Sequence, residues 1–418
     1  MKEILDVIQN ILNLGAAVML PIVITILGLI FRMSFGNAFK SGLLVGIGFQ
    51  GLSLTIDLLT KSVRPAVAYY KHLGQGFTTV DVGWAAVGAA SWGVPFAALA
   101  VLLIVLINFI LIMTKVTKVM NIDIWNYIHF LVPGTLAYAL SGSFWLGLII
   151  TVGLSVISLI AGQIVAPKWE KYYGLEGTTC TTLSYIILAY PIGLFTNWLV
   201  EHIPGLNKIH ISMGQIDKKL GFLGNPAVIG VIVGIFLGIM TKQSWQTDLT
   251  IAMGISSVLV LIPKMVSVMM EGLSAIGDAT QTFMRKKVGS DSKLYIGMDV
   301  ALSLGDPTNV TVSVLLIPVA ILFAFLIPHM NYFPVGMLTS IVYMIPLVSL
   351  ACKGDLFKTI IGSVIMLLIS EIGANVFSPE ATAMMHATGI KVSGMVTDGF
   401  FGYNLPNVII SIIHRLLV

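Results

Sequence analysis

Thirty-three consecutive residues, Val82 to Thr114, separate the charges of Asp81 and Lys115 and carry none themselves. As one helix they would extend about 50 Å, whereas the hydrocarbon core of a bilayer is about 30 Å thick. The stretch must break, and "SWGVP" at 91–95 supplies the means: Gly93 accepts almost any backbone turn, and Pro95 lacks a donor and clashes with the turn before it. An interrupted helix is tolerated in a membrane only where protein or a wet cavity takes up its freed backbone groups. We read 76–94 as a re-entrant or half-length helix, followed by a full span from Pro95. Asp81 falls near the start of that segment, where a helix dipole favours a carboxylate that faces a cavity; the alternative is a cap at the membrane surface.

The rest of the chain has the same character. With 57% hydrophobic and 10% charged residues, it cannot cover the surface of a water-soluble domain. The expected fold is an all-α polytopic membrane protein of about 10–12 transmembrane helices, with 1–418 forming a single membrane domain. After an amphipathic N-terminal entry and a first span around Pro21, further spans are expected at 39–56, 95–114, 124–140, 144–166, 183–200, 226–240, 249–269, 308–327, 333–351, 359–377 and 392–413. A net charge of +4 spread over short loops is an orientation signal with lipid contact, not a nucleic-acid footprint. Cys180 and Cys352 lie far apart in apolar surroundings, so neither a disulfide, a metal site nor another cofactor is expected.

The break recurs. "AASWGVP" (89–95) returns as "ALSLGDP" (301–307), 212 residues later, and Gly142/Gly354, Ile149/Ile361, Val152/Val364, Pro167/Pro379 and Gly177/Gly389 keep that offset. Upstream, "GNAFKSGLLVG" (36–46) matches "GNPAVIGVIVG" (224–234) at offset 188, and "RPAVAYYKHLG" (64–74) aligns with "IPKMVSVMMEG" (262–272). We expect two repeats, about 15–177 and 183–413. Their charges alternate: Lys115 and Lys118 have no counterpart near Met330, "SGS" at 141–143 stands opposite Lys353 and Lys358, and Lys168 and Lys171 stand opposite Glu380. Basic residues favour cytoplasmic loops, so matching loops lie on opposite faces and the repeats are inverted. Inverted repeats with broken helices place a substrate site near the midplane and support alternating access, which makes a transporter the leading class.

Several segments are also recognisable. "MLPIVIT" (19–25), "TVDVGWAA" (79–86), "NIDIWNYIH" (121–129), "EGLSAIGD" (271–278) and "IGMDVALSLGDPT" (296–308) resemble the galactitol-type enzyme IIC, a membrane component of the bacterial phosphoenolpyruvate-dependent phosphotransferase system. The resemblance covers nearly the whole chain, and "VDVGW", "NIDIWN" and "LEG" (175–177) are its more specific elements. It implies a multi-pass protein of the bacterial inner membrane, a homodimeric carrier related in fold to the ascorbate-type component. One domain would carry the substrate and another would hold the dimer together. It also implies phosphoryl transfer from a phosphocysteine on a separate soluble IIB subunit, so that the chain is a carrier and not an enzyme by itself. The chain departs from the galactitol pattern around Ser91 and in "GDPTN" (305–309), so the resemblance does not fix which polyol is carried.

A polyol or sugar asks for carboxylates and amides that pair with adjacent hydroxyls, and for an aromatic face. The candidate substrate residues are Asp81 and Trp84 at the first break, Asp306 and Asn309 flanking Pro307 at the second, Asn126 and His129 after Asp123, and Glu371 with Asn375 one helical turn apart. For His129 the alternative is an interface histidine satisfied by a carbonyl, and for Glu371 a helix-packing hydrogen bond. Glu271 and Asp278 suit a mouth position, and "RKKVGSDSK" (285–293) suits a cytoplasmic surface that meets an acidic partner or anionic lipid. The rival mechanism is a proton- or cation-coupled symporter that titrates Asp81, His129 and Glu371. No nucleophile–base set or metal spacing supports an intramembrane enzyme.

Overall fold

The computed structural model describes residues 16–73, 77–121, 123, 125–213, 225–288, 293–334, 336–389, 392 and 394–417. The N-terminal entry before residue 16 and the centre of the basic run, 289–292, lie outside them.

Two helical hairpins form one unit: α1 (Ala16–Ile30) with α2 (Phe35–Leu73), and, much later in the chain, α8 (Pro226–Met240) with α9 (Trp245–Val288). The long helices α2 and α9 pack against each other, and each also packs along its own hairpin partner. Close approach within the second hairpin rests on "GVIVGIFLG", whose Gly230, Gly234 and Gly238 face Ser256, Ala252 and Asp248 at distances that leave no room for a Cβ. At 39 and 44 residues, α2 and α9 run about 58 and 66 Å, far beyond one bilayer crossing. The expected spans 39–56 and 249–269 are thus the N-terminal parts of longer helices.

After the first hairpin come β1 (Thr79–Asp81), α3 (Trp84–Trp92), α4 (Ala97–Met113), β2 (Val119–Asn121), α5 (Trp125–Ser141), α6 (Phe144–Tyr173), β3 (Thr178–Cys180), a π-turn (Tyr185–Ala189) and α7 (Tyr190–His202). After the second come β4 (Tyr295–Met298), a 3-10 turn (Val300–Ser303), α10 (Pro307–Leu326), two 3-10 turns, α11 (Pro346–Ala351), α12 (Leu356–Val376), α13 (Ser378–Ala387), β5 (Met395–Thr397), α14 (Gly399–Tyr403) and α15 (Leu405–Leu417).

The break at Gly93–Pro95 is present: α3 and α4 meet at 87°. Asp81 does not start that helix, however, because it ends β1 and the position before α3 is Gly83, at φ 74°. Among the described residues four helices are long and apolar enough to cross a membrane, and the bent pair makes a fifth if counted as one span. Several expected spans are shorter or interrupted. The stretch 333–351 is two 3-10 turns and a six-residue helix opened by Pro346. The stretch 183–200 is a π-turn running into a 13-residue helix, and 392–413 holds β5, the five-residue α14 and α15. The offset-188 match also joins the start of α2 to α8, elements that hold different places in the chain order.

Among the described residues, five strands of three or four residues are the feature that an all-α expectation leaves out. They form two parallel sheets, β1 with β5, and β2 with β3 on either side of β4. Thr79 also bridges Tyr332 in parallel. Each sheet therefore takes one strand from the first half of the chain and its neighbours from the second, or the reverse. Backbone groups released at the helix breaks find partners there: Thr79 N–H donates to Asn331 O at 2.9 Å, Val82 N–H to Thr397 O at 3.0 Å, and Thr181 N–H to Met298 O at 2.9 Å. Short parallel strands buried among helices let irregular backbone persist at membrane depth.

Candidate substrate site

Strands β2, β4 and β3 each release the chain at one place, and the residues that follow them form a connected polar cluster. Asp123 accepts from Trp125 N–H at 3.1 Å and from Asp299 N–H at 3.0 Å. Asp299 accepts from Ala301 N–H at 2.8 Å, capping the 3-10 turn, while its second oxygen lies 3.0 Å from the Thr182 hydroxyl. Thr182 in turn accepts from Val300 N–H at 2.8 Å and lies 2.8 Å from Asn126 Oδ1, and Asn126 Nδ2 donates to Thr181 at 2.9 Å. Asn126 thus ties the cluster together and does not line an open space. Asp123, Asn126, Thr181 and Thr182 are buried and Asp299 half-buried, and their mutual contacts, over 117 positions of chain between Thr182 and Asp299, fix these groups against the sheet.

One face of the cluster opens on a cavity of about 300 Å3, the scale of a small-molecule site. Its wall holds Asp299 and His129, the rings of Trp84, Trp125, Tyr185, Tyr343 and Tyr403, and, from the long hairpin helix α2, Phe49 and Asp57. His129 Nδ1 is 2.6 Å from Ser184 Oγ, so a hydroxyl and not the expected carbonyl orients the ring. Phe400 stands edge-on to His129 at 4.9 Å. Trp84 meets Trp125 edge-on at 5.7 Å, and the buried Trp125 indole N–H has no partner among the described residues, which makes it a donor at the wall. Tyr185, on the π-turn, stacks on Tyr403 at 4.9 Å with their hydroxyls 2.6 Å apart, closing the wall between the two halves of the chain. Among the described residues, none that line the cavity is Lys or Arg. The arrangement offers acceptors, donors and flat apolar faces to an uncharged polyhydroxyl molecule and repels an anion.

The other expected residues lie elsewhere. Asp81 is held by Tyr332 O–H at 2.8 Å, Met337 N–H at 2.9 Å and Gly83 N–H at 3.0 Å, and it does not line the cavity. Asp306 caps α10 through Thr308 N–H at 2.8 Å and receives Tyr172 O–H at 3.2 Å beside a second cavity. Asn309, fully buried, donates to Ser303 O at 2.9 Å. Glu371 and Asn375 part company: Glu371 is fully buried with neither oxygen partnered among the described residues, whereas Asn375 binds Asn331 N–H at 2.8 Å and His329 O at 3.2 Å. Glu271 pairs with Lys40 at 3.7 Å between exposed side chains, and Asp278 lines a third cavity beside Arg32.

Sequence reasoning missed Asp57, Asp299, Tyr185, Tyr343 and Tyr403. A signal for Asp299 was present, because "MDV" at 298–300 follows β4 as "VDV" at 80–82 follows the start of β1. The tyrosines carried none, since aromatic residues in membrane chains more often form interfacial belts.

Helices broken around an aromatic-lined cavity that holds two carboxylates and a histidine, flanked by helices long and apolar enough to span a bilayer, define a multi-pass membrane carrier. Comparison with known proteins gives the family: the PTS system sugar-specific permease component, EIIC-GAT, matches residues 10–405, and the chain belongs to it. It is accordingly a multi-pass inner-membrane permease subunit of a sugar phosphotransferase system, not a stand-alone enzyme. The galactitol-specific EIIC component of Escherichia coli (strain K12) is 32% identical over 397 residues, covering 94% of this chain and 87% of that protein. The protein of the same description from Escherichia coli O157:H7 matches at the same identity and coverage.

Proposed function

We propose that this chain carries a galactitol-like sugar alcohol across the membrane and presents it to a phosphorylated IIB subunit at the cytoplasmic face. The observation that carries the reading is the cavity wall: two carboxylates, a histidine, three tyrosines and two tryptophans, with no Lys or Arg among the described lining residues. Carboxylates pair with vicinal hydroxyls and indole faces receive the carbon chain. The same wall disfavours a phosphorylated product, since Asp57 and Asp299 face the added negative charge. Phosphorylation would therefore both trap the substrate inside and release it from the site. The names of the relatives supply the polyol class.

The two sheets support an inverted repeat with alternating access. Lys118 O accepts from Tyr295 N–H, Lys293 pairs with Glu170 at 2.7 Å, and Gly354 lies against Tyr172, so the lysine-bearing ends of β2, β4, α6 and α11 gather on one face. Basic residues gather on the cytoplasmic side. The ends that lead into β1 and β5, at Phe77 and Gly394, would then face outward. The cavity draws Phe49 and Asp57 from the hairpin unit and the rest from the broken helices, so relative movement of the two would open and close it. We assign the hairpin unit to the contact between two copies in a homodimer. A thermal-shift screen of hexitols and pentitols on the purified protein tests the substrate class: stabilisation by galactitol or a stereoisomer is expected, and stabilisation by anionic sugars alone would refute it.

A further inference from the structure

A second cavity, of about 480 Å3, lies on the other side of a single turn of chain. The 3-10 turn Val300–Ser303 gives Val300 and Ala301 to the first cavity, and Leu302 and Ser303 to the second. The partition is thus one turn thick, about 8 Å of chain. Beyond it the wall mixes polar and apolar groups. Tyr172 O–H lies 3.2 Å from Asp306 Oδ2 and 3.1 Å from Ser349 Oγ, Tyr173 O–H donates to Pro346 O at 2.7 Å, and Ser267 contributes from the long helix α9. Just behind, the fully buried Asn309 keeps its Oδ1 without a partner among the described residues. Gly174 and Ser267 at the rim are exposed, and Lys171 stands beside them at the end of α6, on the lysine-rich face.

We infer that this cavity is a second, weaker polyol subsite on the exit route, where substrate that has crossed the Val300–Ser303 turn waits for the phosphoryl donor. The inference rests on the carrier reading above and adds a position to it. Asp306 and the Tyr172 oxygen, whose own proton goes to Asp306, supply acceptors 3.2 Å apart for adjacent hydroxyls, and the turn is the barrier between the two positions. Asp299 holds that turn from the first cavity by capping it, and Asn309 holds it from the second through Ser303 O. A polyol leaving the carboxylate of Asp299 would meet that of Asp306 one turn later.

Equilibrium dialysis of radiolabelled galactitol against the purified full-length protein tests this. Two molecules per chain are expected, the tighter weakened about tenfold by Asp299→Asn and the weaker by Asp306→Asn, both of which keep a capping acceptor. A rim substitution, Ser267→Cys in a chain lacking the native cysteines, adds a functional readout. Attaching a bulky maleimide should leave the tighter site within about twofold but slow IIB-dependent phosphorylation at least about tenfold. One molecule per chain, lost in Asp299→Asn and untouched in Asp306→Asn, would overturn the second subsite while leaving the carrier reading intact. No galactitol bound to the unmodified protein would sink the carrier reading itself, and the subsite with it.

Discussion

Asp299→Asn is the substitution that most closely probes the polyol cavity. A carboxylate offers about four acceptor positions. At Asp299 two are occupied, one by Ala301 N–H at 2.8 Å and one by the Thr182 hydroxyl at 3.0 Å, which leaves two for a substrate in the cavity it lines. Asparagine retains the oxygen that caps the 3-10 turn, and at such positions it serves about as well as aspartate. What it removes is the charge on the substrate's hydrogen bond. A bond to a charged acceptor contributes about 1.5–3 kcal/mol and a neutral one about 0.5–1.5. The difference, about 1–1.5 kcal/mol for each hydroxyl contact, weakens affinity about five- to thirteen-fold. Isothermal titration of galactitol into detergent-solubilised protein measures this, with size-exclusion chromatography as the control for folding. An affinity unchanged within about twofold in a well-folded variant would refute Asp299 as a substrate contact.

Other outcomes follow from the same geometry. Asp81→Asn should lower thermal stability, because Tyr332 O–H and Met337 N–H share one carboxylate oxygen and Gly83 N–H uses the other, so one side loses its acceptor at about 1–3 kcal/mol, while galactitol affinity in the folded fraction stays near wild type; a selective loss of affinity would instead return Asp81 to the substrate set. Single cysteines at Lys118 and Lys353 should label only from the cytoplasm, and those at Ser143 and Asn331 only from outside; labelling of Ser143 and Lys353 from one side would contradict the inverted repeat. Replacing Cys180 and Cys352 together by serine should leave IIB-dependent phosphorylation within a few-fold of wild type, since both thiols are buried and burial pushes the Cys352 thiol, in the turn after α11, up to about 12. A phosphate recovered on Cys352 would make this chain a phosphoryl acceptor.

The helix breaks were legible in the chain because their causes are local. Gly93, Pro95 and Pro307 act on their own turns, and an uncharged run too long for the bilayer has to yield at such residues. His129 was legible as a polar residue in an apolar segment, and Trp84 as a ring next to a break. The strands were not, since three residues are too few to show the alternation that marks a strand, and their partners lie more than a hundred positions away. Asp299 went unread for the same reason, as it reaches the site only through β4. Asp306 stands at its break as the cap before Pro307, whereas Asp81 ends β1, and both are bound by backbone and side-chain donors close at hand. Asp57 could not be associated with the site from sequence, because α2 approaches the broken helices only in the folded protein.

The account turns on phosphorylation, not an ion gradient, drawing the polyol inward. Sealed right-side-out vesicles containing this protein, loaded with phosphoenolpyruvate and the soluble phosphotransferase components including IIB, would be given radiolabelled galactitol with and without an imposed proton gradient. Accumulation of phosphorylated galactitol that requires IIB and is indifferent to the gradient is the predicted result. Accumulation of free galactitol driven by the gradient in the absence of IIB would contradict it and establish a symporter.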